Sequence, residues 1–303
     1  MYLGYFGLSE KPFSIAPNPE YLFLSERHKE ALANLQYGLG DAGGFVLLTG
    51  EVGTGKTTIT RTLLASLPEN TQVAFILNPT LSAQELLATI CDELKQSYPE
   101  QASLKQLTDV IKQKLLNNHQ AGGHTMLIID EAQHLAPEVL EQLRLLTNLE
   151  TDHKKLLQIV LVGQPELQQL LQRTELRQLA QRITARYHLL PLSEQQVFAY
   201  IQHRLQVAGC ERGLFAADAI RLMYQLTGGV PRLLNLLADR CLLGAFSLQH
   251  TVVDKSIVQQ AAQEALPMTH ALPVAQSKQV TWWQPVLALS GLFGVGFALS
   301  YLV

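Results

Sequence analysis

Two kinds of apolar pattern alternate along the first two thirds of the chain. Phe45-Val46-Leu47-Leu48-Thr49 is apolar at nearly every position, as a strand buried on both faces must be. Val73 to Leu77, Thr125 to Ile129 and Leu157 to Val162 repeat that pattern, and the shorter run Tyr187 to Leu190 gives a fifth strand. Between these runs the apolar residues recur at helical spacing. Ala31, Leu32, Leu35 and Leu39 share one face of a helix over 25–40, with Ser25 as its N-cap. A helix is predicted over about 55–66. Ser82 and Glu85 make a capping box ahead of Leu86, Leu87, Ile90 and Leu94, and a further helix covers about 103–118. Pro137 opens a helix carrying Val139, Leu140, Leu143 and Leu146. Strands spaced by helices predict an α/β fold: a parallel five-stranded sheet with helices on both faces.

After Pro191 the strand pattern stops. Ser193 and Gln196 form another capping box, and helices are expected near 193–208, 216–227, 230–247 and 254–265, an all-helical second domain. Residues 1–24 read as an irregular arm rich in aromatics and proline, including Tyr5, Phe6, Pro12, Phe13, Pro17, Tyr21 and Phe23. The expected organisation is a core with its arm over 1–192, the helical domain over 193–266, a linker over 267–285 and a membrane span over 286–303. The span rests on Val286 to Val303, 18 residues that are almost all apolar. As a helix they reach about 27 Å, close to a bilayer core of roughly 30 Å. Trp282 and Trp283 precede them, as interfacial aromatics do, and Lys278 just before marks the inner side. A buried or dimerising helix is the competing reading of the same segment.

Composition narrows the function. Charged residues are 16% and hydrophobic ones 47%, with no charge from Gln279 to the C-terminus. Net charge is −3 and the pI near 6.3, so nucleic acid is not the expected partner. Cys91, Cys210 and Cys241 are far apart and read as buried reduced thiols. The sequence holds no HExxH zinc pattern and no GxSxG nucleophile elbow. Met1 to Tyr5 lacks the basic and apolar regions of a cleavable signal, which places the bulk of the chain in the cytoplasm.

Two motifs carry chemistry. Gly50-Glu51-Val52-Gly53-Thr54-Gly55-Lys56-Thr57, followed by Thr58, fits GxxxxGK[ST] between a predicted strand and a predicted helix. Its glycines let backbone N–H groups curl round phosphate, and the helix N-terminus adds partial positive charge. Lys56 is expected on the β- and γ-phosphates of ATP, and the Thr57 hydroxyl on Mg²⁺. Met126 to Ile129 then end in Asp130 and Glu131, at the strand edge where ligands sit in open α/β sheets. Asp130 is expected to hold Mg²⁺, and Glu131 to polarise the attacking water.

Further motifs carry a resemblance. Asp130-Glu131-Ala132-Gln133-His134-Leu135 and Leu161-Val162-Gly163-Gln164-Pro165-Glu166-Leu167 resemble the AAA+ ATPases of the general secretion pathway protein A (ExeA) type, related to pilus-biogenesis ATPases. Tyr5-Phe6-Gly7-Leu8, Tyr21-Leu22-Phe23-Leu24-Ser25 and Thr227-Gly228-Gly229-Val230-Pro231-Arg232-Leu233 strengthen it. The resemblance implies an AAA+ core with a helical lid and several site residues. Asn78 matches a residue that can hold the catalytic glutamate inactive, and it reads equally as a turn residue before Pro79. Gln164 matches the sensor-1 position and Arg232 sensor 2. Arg182 or Arg186, with Arg186 favoured, would be an arginine finger serving a neighbouring subunit. Pro12 and Phe13 either line the adenine pocket or pack the arm. The resemblance further implies a homo-oligomer, expected as a ring, on the bacterial inner membrane with a secretion protein B-like partner. Its function would be ATP-driven assembly or remodelling of a type II secretion or pilus apparatus. The alternatives are a DNA-associated ATPase of the transposition target-selector type and a nucleotide-gated scaffold with little turnover. Long members of this family continue into a periplasmic peptidoglycan-binding domain, which these residues do not contain.

Overall fold

The computed structural model describes residues 2–16, 18–38, 44–77, 79–151 and 155–266. Asn78, the linker and the expected membrane span lie outside the described residues. Among those described, no helix is long and apolar enough to cross a membrane.

The chain opens with α1 (Tyr2–Phe6), then α2 (Glu26–Gly38), β1 (Gly44–Gly50), α3 (Lys56–Ser66) and β2 (Thr71–Ile76). Next come α4 (Ala83–Glu93), α5 (Leu104–Gln120), β3 (His124–Ile129), α6 (Pro137–Leu146) and β4 (Gln158–Gly163). Short helices α7 (Pro165–Leu171) and α8 (Arg177–Ala180) lead into β5 (Ile183–Leu189). The second domain holds α9 (Glu194–Val207), α10 (Ala217–Thr227), α11 (Pro231–Ser247) and α12 (Lys255–Ala265). Ser82 and Ser193 form the expected capping boxes, and Ser103 forms another on α5.

The five strands are parallel in the order β2-β3-β4-β1-β5. Their side chains alternate between two apolar layers, as the period of a strand requires. Phe45, Leu47, Leu127, Ile129, Ile159 and Leu161 pack on one face with α4, α5 and α6. Val46, Leu48, Met126, Ile128, Val160 and Val162 pack on the other with Ala31, Leu35, Ile59 and Leu63 of α2 and α3. This order puts the tip of β4 between the loop leaving β1 and the acidic pair leaving β3. Three candidate groups thereby share one sheet edge.

β5 is longer than the apolar run at 187–190 suggests. As an edge strand it is half exposed and alternates, so Thr184, Arg186 and His188 point outward and hide its extent. Arg186 therefore lies inside the strand, paired with Leu47, and not ahead of it.

A third apolar cluster joins the helical domain to the arm. Tyr2, Phe6, Leu8, Phe13 and Tyr21 pack with Leu222, Met223, Leu237 and Leu242. Where sequence groups the arm with the sheet domain, its side chains lie on the lid. The Tyr2 hydroxyl donates to Asp239 on α11, and Phe13 meets the Phe215 ring edge-on.

Candidate active site

A cleft of about 660 Å³ opens between the loop after β1, the arm and the lid. Its phosphate end is formed by residues 50–57. Gly53 and Gly55 adopt the left-handed backbone (φ 81° and 106°) that lets this loop curl. A Cβ on Gly55 would lie 2.7 Å from Nε2 of His28, and one on Gly53 would lie 2.5 Å from Cβ of Arg232. Both glycines thus serve close approach as well as conformation. The loop ends on the N-terminus of α3, whose free N–H groups and dipole favour an anion.

Lys56 is buried, and its Nζ donates to the carbonyls of Gly50 (2.8 Å) and Glu51 (3.0 Å). Burial lowers the pKa of its ammonium group, and the carboxylates of Glu131, Asp130, Glu51 and Glu166 oppose that. The Thr57 hydroxyl lies 3.5 Å from Oδ2 of Asp130. Asp130 is also buried, and desolvation holds its pKa above the usual carboxylate value. Its Oδ1 accepts the Glu131 N–H at 2.9 Å. A hydroxyl and a carboxylate at this spacing are the hard oxygen donors that Mg²⁺ prefers, and a cation would relieve the buried charge of Asp130. Among the described residues no cluster of three or more metal-ligating side chains occurs.

Glu131 has a left-handed backbone (φ 53°), rare for a residue with a side chain. Its Oε2 accepts from Gln133 Nε2 at 2.6 Å and from Gln164 Nε2 at 3.1 Å. Burial pushes its pKa up. The bonds from Gln133 and Gln164 and the charge of Lys56 outweigh this, so Glu131 titrates below its ordinary value.

The lid comes down on the loop. The Arg232 N–H donates to the Gly53 carbonyl at 3.3 Å, and the Arg232 side chain lines the cleft. Thr58 lines it too. Arg182 and Arg186 are not among the described residues that line it. Arg182 donates to the carbonyl of Arg144, to Thr147 Oγ1 and to Asn148 Oδ1, closing the C-terminal end of α6. Arg186 is exposed and donates to the Ala180 carbonyl at 2.8 Å.

Pro12 and Phe13 do not line the cleft: both are buried in the arm's packing on the lid. Ser14, Ile15 and Ala16, the next three residues, take that place. Sequence reasoning does not single out Gln133, His28 or Arg204. His28 is buried beside the loop, with Nδ1 2.6 Å from Ser25 Oγ. Burial lowers its pKa, against a hydrogen bond to the Thr54 backbone. Arg204 is buried in the lid, donating to the carbonyls of Pro12 and Ser14 and to the Tyr200 hydroxyl. Its guanidinium lies 4.7 Å from the centre of the Tyr21 ring. Serine before a helix could have flagged His28 through its N-cap; nothing local marks Arg204.

A loop for phosphates after β1, an acidic pair two strands away on the same sheet edge and a helical lid above define a P-loop ATPase. A family model described as an AAA domain matches residues 40–171. Over 258 residues, 85% of its length, the chain is 62% identical to General secretion pathway protein A from Aeromonas hydrophila. It spans 47% of that protein, about half its length. Solved structures share the fold at lower identity. Cdc6p from Pyrobaculum aerophilum superposes with a TM-score of 0.65 at 19% identity, covering 84% of this chain and 70% of that one. The Drosophila ORC bound to DNA gives 0.63 at 21% identity, covering 84% and 64%. The RuvB Holliday junction branch migration motor from Thermotoga maritima gives 0.55 at 19%, covering 82% and 72%. These three likenesses concern the fold.

Proposed function

We propose that the chain hydrolyses ATP at this cleft to drive assembly or remodelling of a secretion apparatus at a bacterial inner membrane. The observation that carries the chemistry is the convergence of Lys56, Thr57, Glu131 and Arg232 on one cleft, with Asp130 behind Thr57 at 3.5 Å. Lys56 leaves the loop carbonyls to hold the β- and γ-phosphates, exchanging two neutral acceptors for charged ones. Thr57 and Asp130 would hold Mg²⁺, which would supply positive charge against the charge that develops on the phosphate groups. Glu131, kept ionised by its amide neighbours, takes a proton from the water whose oxygen attacks the γ-phosphorus as the bond to ADP breaks. Gln164 orients the glutamate from the tip of β4, and Arg232 brings positive charge from the lid.

Arg186 is the arginine finger in this reading. It is exposed on an edge strand, whereas Arg182 is committed to the end of α6. A finger that lies off its own cleft calls for a second copy, hence a homo-oligomer, and a ring closes such head-to-tail contacts. Secretion is preferred to pilus biogenesis because of the 62% identity to General secretion pathway protein A. The apolar C-terminal segment supplies the membrane anchor, and a secretion protein B-like membrane protein is the expected partner.

Turnover and nucleotide binding test the site. Lys56→Ala is expected to lower kcat/KM for ATP at least about a hundredfold. Parental binding and hydrolysis by that variant would end this reading.

A further inference from the structure

Both ends of the Gln133 side chain are engaged. Gln133 lies in the single turn of 3-10 helix, Ala132–His134, that follows Glu131. Its Nε2 donates to Glu131 Oε2 at 2.6 Å, while its Oε1 accepts the backbone N–H of Gln164 at 3.0 Å. Gln164 Nε2 reaches the same glutamate oxygen at 3.1 Å. Two amides thus converge on Oε2, and neither engages Oε1 of a residue that lines the cleft. The backbone around them is shaped to this arrangement. Gly163 leaves room, since a Cβ there would stand 2.7 Å from Gln133 Oε1. Glu131 holds a left-handed φ of 53°, a conformation that persists only where surrounding contacts fix it.

We propose that Gln133 is a positioning residue that ties Glu131 Oε2 to the tip of β4 and so presents Oε1 to the water attacking the γ-phosphate. The inference rests on Glu131 acting as the base. It adds a second route by which β4 reaches the reaction: the Gln164 side chain touches Glu131 directly, and its backbone reaches Glu131 through Gln133. A single helical turn follows the base and carries its donor two residues away, so the aim of the carboxylate is set before any lid movement.

The test uses the full chain, with steady-state ATP hydrolysis and equilibrium binding of a fluorescent ATP analogue. Gln133→Met keeps the length of the side chain and removes both polar ends. Gln133→Glu is nearly isosteric; it keeps an acceptor for the Gln164 N–H and loses the donor to Glu131. Misplacing a reacting group by about an ångström costs roughly tenfold to a hundredfold, and that loss of kcat is expected in both variants. KM and analogue affinity should stay within about twofold, because nothing that grips the nucleotide has been removed. In a Glu131→Gln background, Gln133→Met should cost nothing more. A structural role would instead weaken binding, or lower the residual rate further, and either result overturns the proposal. So does a kcat equal to or above the parent's in Gln133→Glu, which also decides the matter should Gln133→Met not fold. Glu131→Gln separates the two readings. If it turns over ATP like the parent, the base assignment fails and this inference with it. If it is inactive while both Gln133 variants match the parent, only this inference fails.

Discussion

On the sheet side of the cleft, Lys56 and Thr57 open α3 directly after the loop leaving β1, and Asp130 and Glu131 directly follow β3; their partners are near in sequence or share the same sheet edge. On the lid side, Arg204 is fixed by carbonyls of the arm, the farther of them 192 residues away. Tyr2 reaches Asp239 across 237 residues. The first wall is made by backbone geometry that a motif of eight residues already encodes. The second is made by pairing segments from opposite ends of the chain. The residues of the proposed chemistry thus lie on the wall that local sequence can specify, and those that cover them on the wall that only the finished fold supplies.

The contrast can be broken from the lid side first. Arg204→Ala removes a buried cation and strands the carbonyls of Pro12 and Ser14 and the Tyr200 hydroxyl. A loss of about 3 kcal/mol in folding stability is expected, measured by urea denaturation. A change well under that would mean that the arm holds by its apolar contacts alone. Gly53→Ala probes the seam between the walls. Its Cβ would meet Arg232 at 2.5 Å on a backbone of φ 81°, so lid and loop must part. ATP affinity is expected to fall roughly tenfold, about 1.4 kcal/mol, by titration calorimetry. Unchanged affinity would show that the lid does not need this contact. The smallest effect is one of pH. His28 is held neutral by burial, so its folded pKa lies below the unfolded 6.5. Its contribution is fully present above pH 6.5 and is lost as pH falls through the depressed folded value. Melting temperature should therefore fall between pH 7.5 and 5.5, and fall less in His28→Gln.

Legibility followed the same division. The first four strands and the helices of both domains stand close to their expected positions, because their apolar periods are complete within a few residues. The phosphate loop and the acidic pair were readable for the same reason. β5 was cut short because only one face of an edge strand is apolar, and Arg186 was set outside it as a consequence. Pro12 and Phe13 could not be assigned to cleft or packing from sequence, since both roles call for an apolar residue. Gln133 was visible within a motif, yet its role depends on β4 lying beside β3, a pairing that no run of residues displays. Arg204 looks like any other arginine of an amphipathic helix until the arm is folded over it.

The anchoring of α1 on α11 also sets an order of events during synthesis. The sheet, with its loop and acidic pair, can form once about two thirds of the chain has left the ribosome. The first sixteen residues must wait for α11 before their aromatic side chains find cover. A nascent chain therefore exposes its loop and acidic pair before the arm and the lid can close over them.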